Sequence, residues 1–502
     1  MGTTTRRIGT AAAWSVMARA GRFALGMASS VLVVRSLGEH DYGVLSLLRT
    51  ILMFVMMACG AGMGKAVLKF LPALRVDGTM NEARRLIRRV FLVSIFAWAL
   101  LAFASYVFSN WIAGLFDYEG MGTLVVLAVS LGVFELTFTL LSQLFYSNYD
   151  TKLQSIASVA MHVVYLGVLA IVLPLGWGIL GVVIATAAGY LFAVVTILPR
   201  VPTTMRFDGG SGSETVSHGR LFRYALPLTA IGLLNIVVWR QSETLFLAYF
   251  RSAAETGYFD LAYRMPQTIL EFIPGTVWPL VMAGVSEVYA RDRKNLRAAI
   301  DRYYRILFLI CAPICLTGIV LGGRMIVVLF GDAMSPASVP TQMFFAIFTL
   351  SFFATPLSMA LYVMEKTHVN LAIYCALAIV NVGLDVLLIP RFGVVGAIVP
   401  VAFVIAVSPF LYALAVRREI KTISIPFRFI SKCFIASSPV LLLIPLTRYV
   451  TGVIELVAAA IVALLVLIVS FRIVRVVGPA EHELLESIPV PMAARLLRFM
   501  SS

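Results

Sequence analysis

Five arginines stand where this sequence can least accommodate a charge. Arg19 and Arg22 fall in the apolar stretch 11–34, Arg49 in 44–64, Arg240 in 222–248 and Arg264 in 258–286. A charge near a bilayer centre costs about 2.5–3.5 kcal/mol even on the lenient insertion scale, so it normally faces a protein interior or water. Arg19 and Arg22 are three residues apart, which points both guanidinium groups the same way from one helix. Like charges side by side in low dielectric are unfavourable unless an anion joins them. A diphosphate offers acceptor oxygens that match arginine forks. The chemistry that these residues suggest is anion binding, at a site built from Arg19, Arg22, Arg49 and Arg264. The structural alternative sends Arg19 to the cytoplasmic interface and pairs Arg22 with Glu135.

The acids in the same stretches sharpen the contrast. In the spans of the first lobe, Arg19, Arg22 and Arg49 accompany Glu135 alone, a balance of +2, whereas in those of the second Arg240 and Arg264 accompany Glu243, Asp260, Glu271 and Asp385, a balance of −2. Arg240/Glu243 and Asp260/Arg264, three and four residues apart, lie on common helix faces and can neutralise one another. These acids either balance the arginines or bind a coupling proton or Na⁺.

The elements that hold these residues are membrane spans. Of 502 residues, 60% are hydrophobic and 13% charged, with a mean hydropathy of +0.95. Soluble proteins carry about 25% charged residues, so lipid must be the solvent for much of this surface. Segments of about 20 apolar residues occur near 11–34, 44–64, 90–110, 122–146, 154–174, 177–198, 222–248, 258–286, 304–330, 339–364, 367–389, 393–416, 431–450 and 453–475. The fold class is therefore an all-α polytopic membrane protein of fourteen spans. Of 40 Lys and Arg, 30 fall in one alternating set of loops and termini, five (Arg35, Arg251, Arg324, Arg391 and Arg448) in the other and five within spans. The positive-inside rule places both termini in the cytoplasm. The net charge of +15 is thus mainly orientation and gives no sign of nucleic acid.

The spans repeat. RSLGEHDYGVLSLLR (35–49) and RSAAETGYFDLAYR (251–264) align at a lag of 216, matching Arg35/Arg251, Glu39/Glu255, Tyr42/Tyr258 and Leu45/Leu261. LPLGWGILGVV (173–183) and IPRFGVVGAIV (389–399) match Gly178/Gly393 and Gly181/Gly396 at a lag of 215. Two matches at equivalent turns of a six-span block imply a parallel repeat. The expected organisation is a first lobe at 1–198, a cytoplasmic linker at 199–221, a second lobe at 222–416, two extra spans at 417–475 and a cytoplasmic tail at 476–502. Two lobes about a cleft suit alternating access.

The remaining motifs carry little chemistry. The loops, the longest of about 25 residues, leave no room for a catalytic domain. GAGMGKA (60–66) lacks the first glycine and the hydroxyl residue of a phosphate loop, and reads as close helix packing. The five cysteines read as small buried hydrophobes and the five histidines lack metal spacing; His162, within a span, reads as hydrogen-bonded in the bundle, with a proton relay as the other role. The first apolar segment reads as a retained helix, without a cleavable signal peptide. The basic stretches 65–89 and 287–303 suit anionic lipid headgroups or acidic partners. No cofactor or metal is expected.

WSVMARAGRFALGMASSVLVVRSLG with EHDYGVLSLL, and the echo ETGYFDLAYRM, resemble the Wzx-type polysaccharide (lipid-linked oligosaccharide) flippase family of the multidrug/oligosaccharidyl-lipid/polysaccharide exporter superfamily. The resemblance implies a V-shaped pair of lobes in the cytoplasmic membrane. They would flip undecaprenyl-diphosphate-linked sugars from the inner to the outer leaflet, with a polysaccharide polymerase and glycosyltransferases as partners. Related lipid II flippases place cavity arginines on helices 1, 2 and 8, which here carry Arg19 or Arg22, Arg49 and Arg264. In relatives, helices 13 and 14 form a groove for a lipid tail; here the thirteenth span holds Pro439 and Pro445. A lipid II flippase, a multidrug/cation antiporter and a scaffold of an envelope-polymer synthase complex are the alternatives. An antiporter usually has twelve spans and an acid on the first helix, where this chain has two arginines.

Overall fold

The computed structural model describes residues 2–77, 80–116, 118, 120–148, 151–201, 216–239, 242–291, 296–420 and 425–476. These residues are helical almost throughout. The first unit contains α1 (Gly2–Met56), a π-helical turn (Met57–Ala61), α2 (Gly62–Asp77), α3 (Met80–Val107), α4 (Ser109–Leu115), α5 (Met121–Leu131), α6 (Val133–Ser147), α7 (Thr151–Val172), α8 (Gly178–Ile197), α9 (His218–Trp239) and α10 (Glu243–Phe250). The chain goes on with α11 (Ala253–Arg291), α12 (Leu296–Phe330), α13 (Ser338–Val363), α14 (Thr367–Glu419), α15 (Phe427–Ser437), a 3₁₀ segment (Ser438–Tyr449) and α16 (Val453–Val474).

Eleven described helical stretches are long and apolar enough to cross a membrane. Two of them, Met17–Pro72 and Thr367–Glu419, contain a break and each cover two expected spans; the eighth expected span lies on α11, which carries Asp260, Arg264 and Glu271. All fourteen expected spans thus have a helix. The turns after spans 1 and 11 are tighter than expected. Where loops were expected at 35–43 and 390–392, the helix redirects at one residue, Gly38 (φ 74°, ψ −176°) and Gly393 (φ 54°, ψ −130°) respectively. Span 13 ends as a 3₁₀ segment opening at Ser438–Pro439 and containing Pro445, because proline removes the α-helical N–H donor and clashes one turn back.

Packing divides the chain into two compact units, Met1–Gly257 and Tyr258–Ser502, with the boundary inside α11. The repeat assigns α9 to the second block, yet α9 packs in the first unit. A side chain at Gly62 would strike the backbone of Ala225, Gly232 sits under Met57, and the buried hydroxyls of Thr50 and Thr244 meet at 2.8 Å. Small residues let helix backbones approach in this way where lipid supplies no hydrophobic drive for helix pairing. GAGMGKA is accordingly a packing element: Gly60 faces Leu136, Gly62 faces α9 and Gly64 faces Gln143. Of the linker, residues 202–215 lie outside the described residues; Arg89 Nη1 donates to the Val216 carbonyl (2.7 Å) just beyond them.

The second unit centres on aromatic packing from the repeated motif. Phe259 and Tyr263 of α11 meet Phe344 and Phe348 of α13, with ring centroids 4.8–5.6 Å apart. Such edge-on pairs add about 0.5–1.5 kcal/mol each beyond area burial. Cys311, Cys315 and Cys433 of this unit are buried and Cys375 half-buried, all as free thiols; Cys59 of the first unit is buried likewise.

Two glycines that align in sequence share a backbone feature. Gly178 and Gly393 take φ values of +51° and +54°, a region that side chains disfavour. Three residues on, Gly181 packs against Val172 and Gly396 against Leu388. Those partners are themselves 216 residues apart, although Gly181 meets the Val172 side chain and Gly396 the Leu388 backbone.

Candidate anion site in the first unit

Both arginines of α1 that lie deepest in apolar sequence end on α7. Arg22 Nη1 donates to the Ser158 hydroxyl at 2.7 Å, and Arg49 Nη2 donates to the Tyr165 hydroxyl at 3.3 Å. Arg22 and Arg49 come from opposite sides of the Gly38 break, so the kink returns α1 to the same partner helix. Ser158, His162 and Tyr165 are spaced i, i+4 and i+7, one face of α7. His162 Nδ1 donates to the Ser158 carbonyl (2.9 Å), which fixes the tautomer beside Arg22. His162 is thus hydrogen-bonded within the bundle, as its place in a span suggests.

Glu135 does not pair with Arg22. It lies instead beside Tyr190 of α8, within the α6–α8 layer. Among the described residues, no carboxylate lies within ion-pair distance of Arg22 or Arg49. A hydroxyl orients a guanidinium without cancelling its charge. The pair therefore presents two half-buried positive charges on a common frame, which suits an anion with several acceptor oxygens. Arg19 is half-buried and engaged with its surroundings.

The other candidate residues are arranged differently. Arg264 belongs to the second unit, where its Nε donates to Asp260 Oδ1 at 2.7 Å, four residues back on α11; the Asp260 side chain is fully buried. Glu271, further along, is exposed and accepts from Gln267 (3.2 Å). Asp385 of α14 is fully buried and accepts from Asn381 Nδ2 at 3.4 Å. Glu243 is buried at the start of α10 beside Thr244. Its expected partner Arg240 lies outside the described residues. Among the described residues no group of three or more His, Cys, Asp or Glu could hold a metal ion.

Sequence reasoning placed the arginines in spans but did not find Ser158 or Tyr165, which hold two of them. Hydroxyl residues inside apolar spans are common, and only the contact with α1 singles out these two positions on α7.

Comparison with known proteins fits this arrangement to a fold and a family. The structure resembles the lipid II flippase MurJ in an inward closed conformation, with TM-score 0.73 and 16% identity over 91% of this chain and 97% of that one. It resembles an inward-facing multidrug resistance MATE-family transporter of the MOP superfamily, with TM-score 0.65 and 13% identity over 81% and 98%. A MOP-superfamily transporter from Pyrococcus furiosus Vc1, described as having a binding pocket of reverse polarity, is similar at TM-score 0.55 and 11% identity over 83% and 95%. At 11–16% identity the likeness to these proteins is one of fold. No curated protein sequence matches significantly. The family profile described as "Polysaccharide biosynthesis protein" matches residues 32–339, more than half of the chain. The chain belongs to the polysaccharide biosynthesis protein family.

Proposed function

We propose that the protein is a flippase of the cytoplasmic membrane, with both termini in the cytoplasm. It moves a polyprenyl-diphosphate-linked oligosaccharide from the inner to the outer leaflet by alternating access of two repeated lobes. The observation that carries this reading is the pair Arg22 and Arg49, each held by a neutral hydroxyl of α7 without a carboxylate partner among the described residues. Two membrane-embedded cations kept charged in this way suit a phosphate-bearing lipid and disfavour a cationic drug. Family membership and the absence of an acid on the first span support the same substrate class. A lipid II flippase shares the arginine chemistry and differs in the sugar carried.

Arg19 stands one turn before Arg22 and supplies a third cation; Arg264, offset by Asp260, contributes least. Asp385 and Glu243 are the acids placed to bind a coupling proton or Na⁺. The test is reconstitution of purified protein in vesicles with a fluorescent polyprenyl-diphosphate sugar on one leaflet. Wild-type protein equilibrates the lipid across the bilayer, and Arg22→Ala slows this at least tenfold at equal protein content. Equal rates in the two preparations would remove Arg22 from the site, and no movement with wild type would remove the flippase reading.

A further inference from the structure

We infer that a groove on the first unit, between α1, α7 and α8, holds part of the polyprenyl chain of the transported lipid. This inference rests on the flippase reading above. The groove is a cavity of about 500 Å³, lined by Met17 and Gly21 of α1, by Ile156, Val159 and Val163 of α7, and by Phe192 of α8. That volume falls within the range of small-molecule sites, roughly 300–1,000 Å³. Its walls are apolar and unfilled because the sequence puts small residues where larger ones would close them. Ala18 and Gly21 on α1 face Ser155 and Ala160 on α7. A Cβ at Gly21 would stop 3.5 Å from Val159, in ordinary contact. Met17, Ile156, Val163 and Phe192 are 44–64% exposed, so the groove is open along one side.

Charge complementarity names the occupant. The turns of α1 that form one wall, through Ala18 and Gly21, also carry Arg19 and Arg22. Arg22 reaches Ser158, on the same turn of α7 as the groove residues Ile156 and Val159. An apolar chain in the groove therefore brings an attached phosphate to the arginines. Depth separates a transported lipid from a resident one. Lys152 lies at the exposed start of α7, and Ser158 lies six residues on, about 9 Å deeper at 1.5 Å per residue. A resident phospholipid keeps its phosphate at the interface, level with Lys152. A phosphate that meets Arg22 has left the interface, as the headgroup of a transported lipid must.

Site-specific photo-cross-linking tests this. A benzophenone amino acid at Val163, and separately at lipid-facing Ile473 of α16, is irradiated in vesicles containing radiolabelled undecaprenyl diphosphate or radiolabelled phosphatidylglycerol. We expect undecaprenyl diphosphate to label position 163 at least fivefold more than position 473, with phosphatidylglycerol labelling both equally. Gly21→Leu, which fills the groove, reduces labelling at 163 at least fivefold; Ala160→Trp serves the same purpose should Gly21→Leu fail to fold. Equal labelling of 163 and 473 by undecaprenyl diphosphate, or preferential labelling of 163 by phosphatidylglycerol, overturns the inference. The reading of function fails separately. Selective labelling with no lipid movement by wild type keeps the groove and removes the flippase, whereas lipid movement without selective labelling does the reverse.

Discussion

In the first unit Arg22 and Arg49 end on hydroxyl groups of α7, whereas in the second Arg264 ends on the carboxylate of Asp260. The two arrangements use similar geometry, with donor–acceptor distances of 2.7–3.3 Å, and differ in electrical outcome. Opposite unit charges 4 Å apart attract by about 4 kcal/mol at an effective dielectric constant of 20, so Arg264 and Asp260 act at a distance mainly as a dipole. A hydroxyl supplies direction without that compensation. The first unit thus leaves Arg22 and Arg49 electrically available, and the second closes Arg264 into a pair. The asymmetry stands beside a shared backbone feature, since Gly178 and Gly393 take nearly the same positive φ, 51° and 54°.

The largest expected effect tests the electrical half of this comparison. Arg49→Ala, like Arg22→Ala, should reduce lipid movement about tenfold to a hundredfold, the equivalent of losing one charge-assisted interaction of about 1.5–3 kcal/mol. Arg264→Ala should reduce it less than either in the same vesicle assay. If Arg264→Ala is the most damaging of the three, the division between available and closed charges is wrong.

Stability should show the opposite order. Arg264→Ala leaves the buried Asp260 carboxylate without its guanidinium and should cost about 1–3 kcal/mol, read as a lower thermal midpoint in detergent. Adding Asp260→Asn should recover most of that loss, because both charges are then gone. A double variant no more stable than Arg264→Ala would mean that the pair is not what holds α11 in place.

The scaffold half is tested at the glycines. Gly178→Ala and Gly393→Ala should each cost about 1–2 kcal/mol, since both place a Cβ at positive φ. Similar losses in the two variants sharpen the repeat; a cost at only one position breaks the equivalence of the turns. The smallest effects belong to the residues that aim the arginines. Ser158→Ala and Tyr165→Phe should slow transport about two- to tenfold, within the 0.5–1.5 kcal/mol of a single hydrogen bond. The serine should matter more, because its bond is 2.7 Å against 3.3 Å. Ser158→Ala added to Arg22→Ala should change nothing further, as expected for two residues acting through one contact. Additive losses would show that Ser158 acts elsewhere.

Much of this molecule can be read from one dimension. Span number, the approximate bounds of each span and the lag of the repeat follow from apolar run length and from glycine and proline spacing. Those signals are local, and a bilayer accepts few solutions for an apolar segment of 20 residues. The Asp260–Arg264 pair was legible for the same reason, as a spacing of four on one helix. The alternative that paired Arg22 with Glu135 is not what the structure shows, because two residues 113 positions apart can be matched by charge alone yet reach different neighbours. The loops expected after spans 1 and 11 shrank to Gly38 and Gly393, since one residue at positive φ can redirect a helix without a linker.

The sequence alone therefore determined that this chain is a helical membrane protein whose first six expected spans hold three cations against one acid. These depend on composition and periodicity, which any fold of the chain must respect. Tertiary structure decided which neighbours those cations have. Ser158 and Tyr165 are unremarkable as hydroxyl residues in an apolar run, and only the packing of α1 on α7 puts them against Arg22 and Arg49. It also decided that α9 packs with the first unit and that α1, α7 and α8 leave a groove open between them. Whether a buried charge is neutralised or merely oriented depends on the atom within 3 Å of it, and that atom is chosen by how helices distant in sequence meet.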